Sequence, residues 1–128
     1  MSDVVTLQLP RERDFYGVAH LVLGGLGARL ELTYDFLEDI TTAIDELLER
    51  RESSDDVTLT VQIDEGAITA TVGPFSGRVA DELHASDAGL GLRRVLETVV
   101  DDVSVSERDG AQWVELRKSL GESADAGQ

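Results

Sequence analysis

Glu46 and Arg50 stand four residues apart, acid first, in the run Thr42-Ala43-Ile44-Asp45-Glu46-Leu47-Leu48-Glu49-Arg50. On a helix that spacing puts both groups on one face. Asp39, Thr42, Glu46 and Arg50 then form a polar stripe roughly opposite an apolar one. Two uses of the stripe stay open. Facing solvent, Glu46 and Arg50 make a surface ion pair of about 0.3–0.5 kcal/mol. Lining a cleft beside a bound phosphate, Glu46 serves instead as a general base.

A second candidate is glycine-rich. Gly89-Leu90-Gly91 precedes Leu92, Val95, Leu96 and Val99, an apolar stripe at helical spacing. Free N–H groups at such a helix entrance attract anions such as phosphate. The same tripeptide also serves as a plain flexible entry with no ligand. Gly24-Gly25-Leu26-Gly27 fits neither the dinucleotide fingerprint nor a phosphate loop, and no Lys-Ser or Lys-Thr follows it. The two histidines, His20 and His84, are isolated, too few for a metal site. Nothing orders a Ser-His-Asp arrangement around them. The chain has no cysteine, which removes disulfides, thiolate catalysis and thiolate-bound metal centres.

These groups need elements to hold them. Val5, Leu7 and Leu9 alternate with Thr6 and Gln8, a strand stopped by Pro10. Asp14 caps a first helix whose stripe is Phe15, Val18, Val22, Leu26 and Leu30. Gly17, Gly24, Gly25 and Gly27 interrupt it, each costing roughly 1 kcal/mol relative to Ala. Such a cost implies close approach of another backbone, or a local break. Thr33 starts the second helix, with Leu32 and Leu37 placed as a hydrophobic staple. Its stripe is Leu37, Ile40, Ile44, Leu47 and Leu48, and it runs to about Arg51.

A hairpin follows. Val57, Leu59, Val61 and Ile63 alternate with polar residues, Asp64-Glu65-Gly66 turns, and Ile68, Ala70 and Val72 alternate again to Gly73-Pro74. Residues 74–88 read as an irregular connection with a short helix near Val79 to Leu83. A third long helix opens at Gly89. A last hairpin carries Val103 and Val105, a turn at Arg108-Asp109-Gly110, and Trp113 to Lys118. The predicted fold is an α/β two-layer sandwich: a mixed, mainly antiparallel five-stranded sheet with three long helices on one face. Residues 1–120 form one domain, and the small polar tail 121–128 is expected to be disordered.

Composition narrows the partners. The 128 residues hold 11 Lys and Arg against 26 Asp and Glu, a net charge of -15. So acidic a surface repels phosphate backbones and anionic leaflets, which argues against nucleic-acid and membrane binding. It suits a basic protein surface, although acidity also serves solubility alone. No run approaches the ~18 apolar residues of a membrane span. Met-Ser-Asp lacks the basic start of a secretory signal, so the expected location is the cytoplasm.

Element order, the segment Thr42 to Arg50 and the segment Gly89-Leu90-Gly91-Leu92-Arg93-Arg94-Val95-Leu96 together resemble the anti-sigma regulatory factor family. These are the RsbW-type serine kinases of the histidine-kinase-like (GHKL, Bergerat-fold) ATPase superfamily. The resemblance spans about residues 4–118. It implies a nucleotide site with Glu46 as catalytic base, and Arg50, Gly73, Phe75, Gly89, Leu90 and Gly91 lining the cofactor. It further implies ATP and Mg²⁺ as cofactors, a sigma factor or a STAS-type anti-anti-sigma protein as partner, and a homodimer.

Two family signatures differ here. Arg50 stands where the family has the Asn that helps hold Mg²⁺, and Arg has no oxygen to give a metal. The stretch Val72-Gly73-Pro74-Phe75-Ser76-Gly77 contains no Asp, where the family's Asp-x-Gly reads the adenine amino group. The glycine turn at Gly89-Leu90-Gly91 is kept. The expectation is therefore a regulator that binds proteins, with Mg-ATP binding weak or absent. The competing expectation is a working serine kinase with an unusual cleft.

Overall fold

A computed structural model of the chain describes residues 3–10, 16–49, 56–64, 66–75, 81, 83 and 91–119. Asp14, Phe15, Arg50, His84, Gly89, Leu90, most of the connection 74–88 and the tail lie outside the described residues. The elements run β1 (Asp3–Leu9), α1 (Tyr16–Leu30), α2 (Tyr34–Leu48), β2 (Val57–Ile63), β3 (Ala67–Phe75), α3 (Leu92–Glu97), β4 (Asp102–Arg108) and β5 (Ala111–Ser119).

The five strands form one sheet in the order β1-β2-β3-β5-β4. The alternation seen in the sequence sets its two faces. Leu7, Leu59, Val72 and Val114 sit in register on one face, and Thr6, Thr60, Thr71 and Glu115 on the other. The first row belongs to the core with α2, whose Phe36, Ile40, Ala43, Ile44 and Leu47 are all buried. Helices therefore cover one face, as expected for a two-layer α/β domain.

Two details differ from the expectation. The mixed sheet resolves into antiparallel neighbours throughout. β3 and β4 do run parallel, as a crossover through a helix requires, but β5 folds back from β4 and pairs with β3 between them. The third helix is also short, six residues rather than a long element. Gly91 is still extended, at φ -63° and ψ 156°, so the helix begins only at Leu92. It ends at the β-branched run Thr98-Val99-Val100, poor helix formers, and the Asp101 N–H already donates to Arg117 in the sheet at 2.9 Å.

α1 is continuous through its glycines. Its inward residues are Tyr16, Ala19, Leu23, Leu26 and Gly27, so the helix is rotated from the expected stripe and Val18 faces out. The Tyr16 hydroxyl fixes that rotation by donating to the Leu48 carbonyl at 2.6 Å, a buried bond. At Gly27 a Cβ would overlap the Leu37 side chain of α2, so the close approach at this one position is by a side chain and not by the expected backbone. Gly24 has open space where its Cβ would stand. Gly24→Ala is therefore expected to raise stability by about 1 kcal/mol. Gly27→Ala falls short of that by about 1–3 kcal/mol through overpacking against Leu37. Paired urea titrations check the contrast.

Candidate functional site

The site begins with the start of α2. Thr33 is its N-cap, and its hydroxyl accepts the Phe36 N–H at 3.1 Å. From there α2 runs across the sheet, packed against α1, α3 and β3. Glu46 lies three turns on, half-buried, among positions whose neighbours Leu47 and Leu48 are core. α2, which carries Glu46, thus touches both β3 and α3. Arg50, Gly89 and Leu90 lie outside the described residues.

Gly91 is the N-cap of α3 and supplies no side-chain cap. Among the described residues no atom beyond its chain neighbours lies within 4 Å of where its Cβ would stand. Phe75 is buried in the core. A register shift between Val72 and Phe75 turns it inward, whereas strict alternation from Val72 would point it to the open face.

Gly73 has a packing role on the open face. It pairs with Thr58, in line with Thr60 and Thr71 two residues away along the strands. A Cβ there would stand 2.5 Å from Trp113 Cδ2. The indole of β5 lies flush on this glycine, and the Arg108 guanidinium covers the ring 5.1 Å from its centroid. The stack Gly73–Trp113–Arg108 therefore faces away from α2.

A hollow of about 450 Å³ lies elsewhere, at the start of α2, lined by Thr33, Asp35, Phe36, Asp39, Asp101, Lys118 and Ser119. At 1.5 Å per residue Glu46 is roughly 20 Å along the helix from Thr33. Lys118 dominates the hollow. Its ammonium donates to the Val99 carbonyl at 2.9 Å, faces Asp39 at 3.4 Å and sits 5.3 Å from the Phe36 ring centroid. Sequence reasoning passed over it. The signal was the alternation Val114, Leu116, Lys118, which points a lysine inward and obliges it to find partners. Among the described residues no group of three or more His, Asp or Glu is gathered as a metal cage. None of the described helices is long and apolar enough to cross a membrane.

No protein-family model matches the chain. It is 26% identical to the serine-protein kinase RsbW of Bacillus velezensis, over 98% of this chain and 91% of that protein. It is 24% identical to RsbW of Bacillus subtilis, over 97% and 91%. RsbW of Listeria innocua matches at 25% identity, over 89% and 86%. Among solved structures, that of the RsbU and RsbW domains of Rv1364c from Mycobacterium tuberculosis superposes with a TM-score of 0.67 at 14% identity. The likeness covers 91% of this chain and 31% of that longer one, and it speaks to the fold.

Five antiparallel strands backed on one face by helices make a two-layer α/β domain of the fold class to which the RsbW-domain structure belongs. Within that class the chain is a relative of the RsbW serine-protein kinases, matching them over nearly its whole length.

The packing of Trp113 on Gly73 makes a specific prediction. Gly73→Ala should destabilise the fold by about 1–3 kcal/mol through overpacking. In a Trp113→Ala background the same change should cost much less. A double-mutant cycle in urea measures the coupling.

Proposed function

We propose that the chain is an anti-sigma-factor-like regulator that acts by protein–protein binding, with Mg-ATP binding lost or weakened. Its partner is a sigma factor or a STAS-type anti-anti-sigma protein, and it works in the cytoplasm as a homodimer. The kinship with RsbW supports the regulatory class. The observation that carries the loss of nucleotide is chemical. Arg50 offers no oxygen where the family's Asn helps hold magnesium, and its charge repels the ion. The stretch 72–77 offers no carboxylate to read adenine. Within it Val72 and Phe75 are core residues and Gly73 is packed on Trp113. These residues do not fit a Mg-ATP site of the family's kind.

A second function has support of its own. The curated relatives are named serine-protein kinases, Glu46 is in place on α2, and the glycine turn before α3 is kept. In that case Glu46 acts as the base and Gly89 to Gly91 cradle phosphate.

Thermal denaturation with and without Mg-ATP separates the two. A ligand at about 100 times Kd stabilises a fold by ~2.7 kcal/mol. The expected result is no shift in Tm at millimolar Mg-ATP, and a clear upward shift would install the kinase instead. Arg50→Asn alone is expected to restore no shift, because the adenine-reading carboxylate is still missing. Purified chain mixed with a panel of sigma factors should form a stable complex that weakens as salt rises, since opposite charges at an exposed rim are screened. A panel with no complex would remove the proposed partner class.

A further inference from the structure

The two edges of the sheet are built differently. In the order β1-β2-β3-β5-β4, β1 and β4 each lack a neighbour on one side. A free edge offers a row of unpaired N–H and C=O groups, which proteins ordinarily guard with charge, proline, a bulge or a cover. β4 is guarded. It carries Asp102, Glu107 and Arg108, all exposed, and its Val103 carbonyl accepts from Arg93 Nη1 at 3.3 Å. β1 is not. Its seven residues, Asp3-Val4-Val5-Thr6-Leu7-Gln8-Leu9, pair with β2 in unbroken register, without a bulge. Only Asp3, at the start, is charged, and Pro10 stands beyond the end. Among the described residues no hydrogen bond from outside the sheet reaches the backbone of β1. From Val4 to Leu9 the strand reads like β2 and β3, which are uncharged and have neighbours on both sides. The other charged strand residues gather on β4 and β5.

This edge is also self-complementary. An antiparallel copy turned about a two-fold axis at Thr6 sets Thr6 against Thr6, Val5 against Leu7 and Val4 against Gln8. Val5 and Leu7 belong to the helix-covered face, and Val4, Thr6 and Gln8 to the open one, so each pair joins residues of one face. Val4 is 57% exposed, and Val5 and Leu7 are half-buried, so pairing covers apolar surface on both faces. Charge does not oppose it locally. On chains that each carry -15, this seam sets Asp3 against Leu9 and no carboxylate against another. A strand without charge has nothing with which to select a basic partner, whereas its own copy fits it residue by residue.

We propose that the free edge of β1 pairs antiparallel with β1 of a second copy about a two-fold axis at Thr6, joining the two sheets into one. This rests on the homodimer proposed above and names the surface that forms it.

Sedimentation of the full chain over a micromolar concentration series should show a dimer. Added salt should tighten it, because screening relieves the repulsion between two acidic bodies and the seam has no ion pair to lose. Thr6→Lys sets two ammonium groups against each other at the axis and should weaken the dimer by about tenfold or more. Thr6→Ser should stay within about threefold of wild type. Circular dichroism checks that each variant is folded. The chain has no cysteine, so single cysteines report the geometry directly. Directly opposed Cβ atoms lie about 4.5–5.5 Å apart, close to the span of a disulfide. Under mild oxidation Thr6→Cys should therefore form a covalent dimer much faster than Ser106→Cys on the guarded edge. A dimer that Thr6→Lys leaves intact, or one in which Thr6→Cys cross-links no faster than Ser106→Cys, overturns the seam and leaves the homodimer standing. So does a dimer that salt dissolves, since ion pairs then hold it. A wild-type chain that stays monomeric throughout the series overturns both.

Discussion

The burial of one face of α2 against one face of the sheet is the constraint on which the other features depend. Ile40, Ile44 and Leu47 are fully buried there, against strand residues such as Leu59, Val72 and Leu116. Truncating any one of them to Ala would cost about 2–5 kcal/mol, a large share of the stability of a domain this size. With that face committed, the polar positions of α2 have fixed surroundings. Asp45 meets His20 of α1, Asp39 meets Lys118 of β5, and Glu46 is left half-buried beyond them. The helix that carries the candidate base is thus also the helix that touches α1, α3 and the sheet.

The sheet has its own dependency on β5. By inserting between β3 and β4 it converts a parallel crossover into antiparallel pairs, and it brings Trp113 over Gly73 and Lys118 under α2. One side of β5 therefore shapes the open face and the other shapes the hollow at the start of α2. The open face is otherwise rich in threonine: Thr6, Thr58, Thr60, Thr69 and Thr71 lie in adjoining rows. Such residues suit a pleated, half-exposed surface. This face has little apolar area to hide, which is why a single layer of helices is enough.

Charge and packing divide the surface between them. The excess of carboxylates is spread over the chain, but α2 concentrates it with no basic residue of its own. α1 does the opposite: apart from His20 and Arg29 it holds only apolar, small and tyrosine residues. The two helices lie side by side, so the outer layer juxtaposes an apolar strip with an acidic one. That combination suits a cationic protein surface better than an anionic one.

Much of this was legible in the residues alone. Period-two alternation located β1, β2, β3 and β4, because a strand with one covered face must alternate. The Leu32–Thr33–Leu37 pattern placed the start of α2, and the resemblance in Thr42 to Arg50 and Gly89 to Leu96 led to the class that the RsbW relatives support. Other features belonged to the tertiary structure. The inward face of α1 could not be chosen from a helix whose apolar residues lie on several sides, and the Tyr16–Leu48 bond decided it. Phe75 turned inward because a bulge broke the count, and β5 entered between β3 and β4 because pairing between distant segments leaves no periodic trace. The length of α3 depended on Asp101 joining the sheet. Sequence by itself determined which residues must be hidden, since hydrophobic pattern is a local property. Only the fold decided what they are hidden against, because register, rotation and strand order are settled by contacts between parts of the chain far apart.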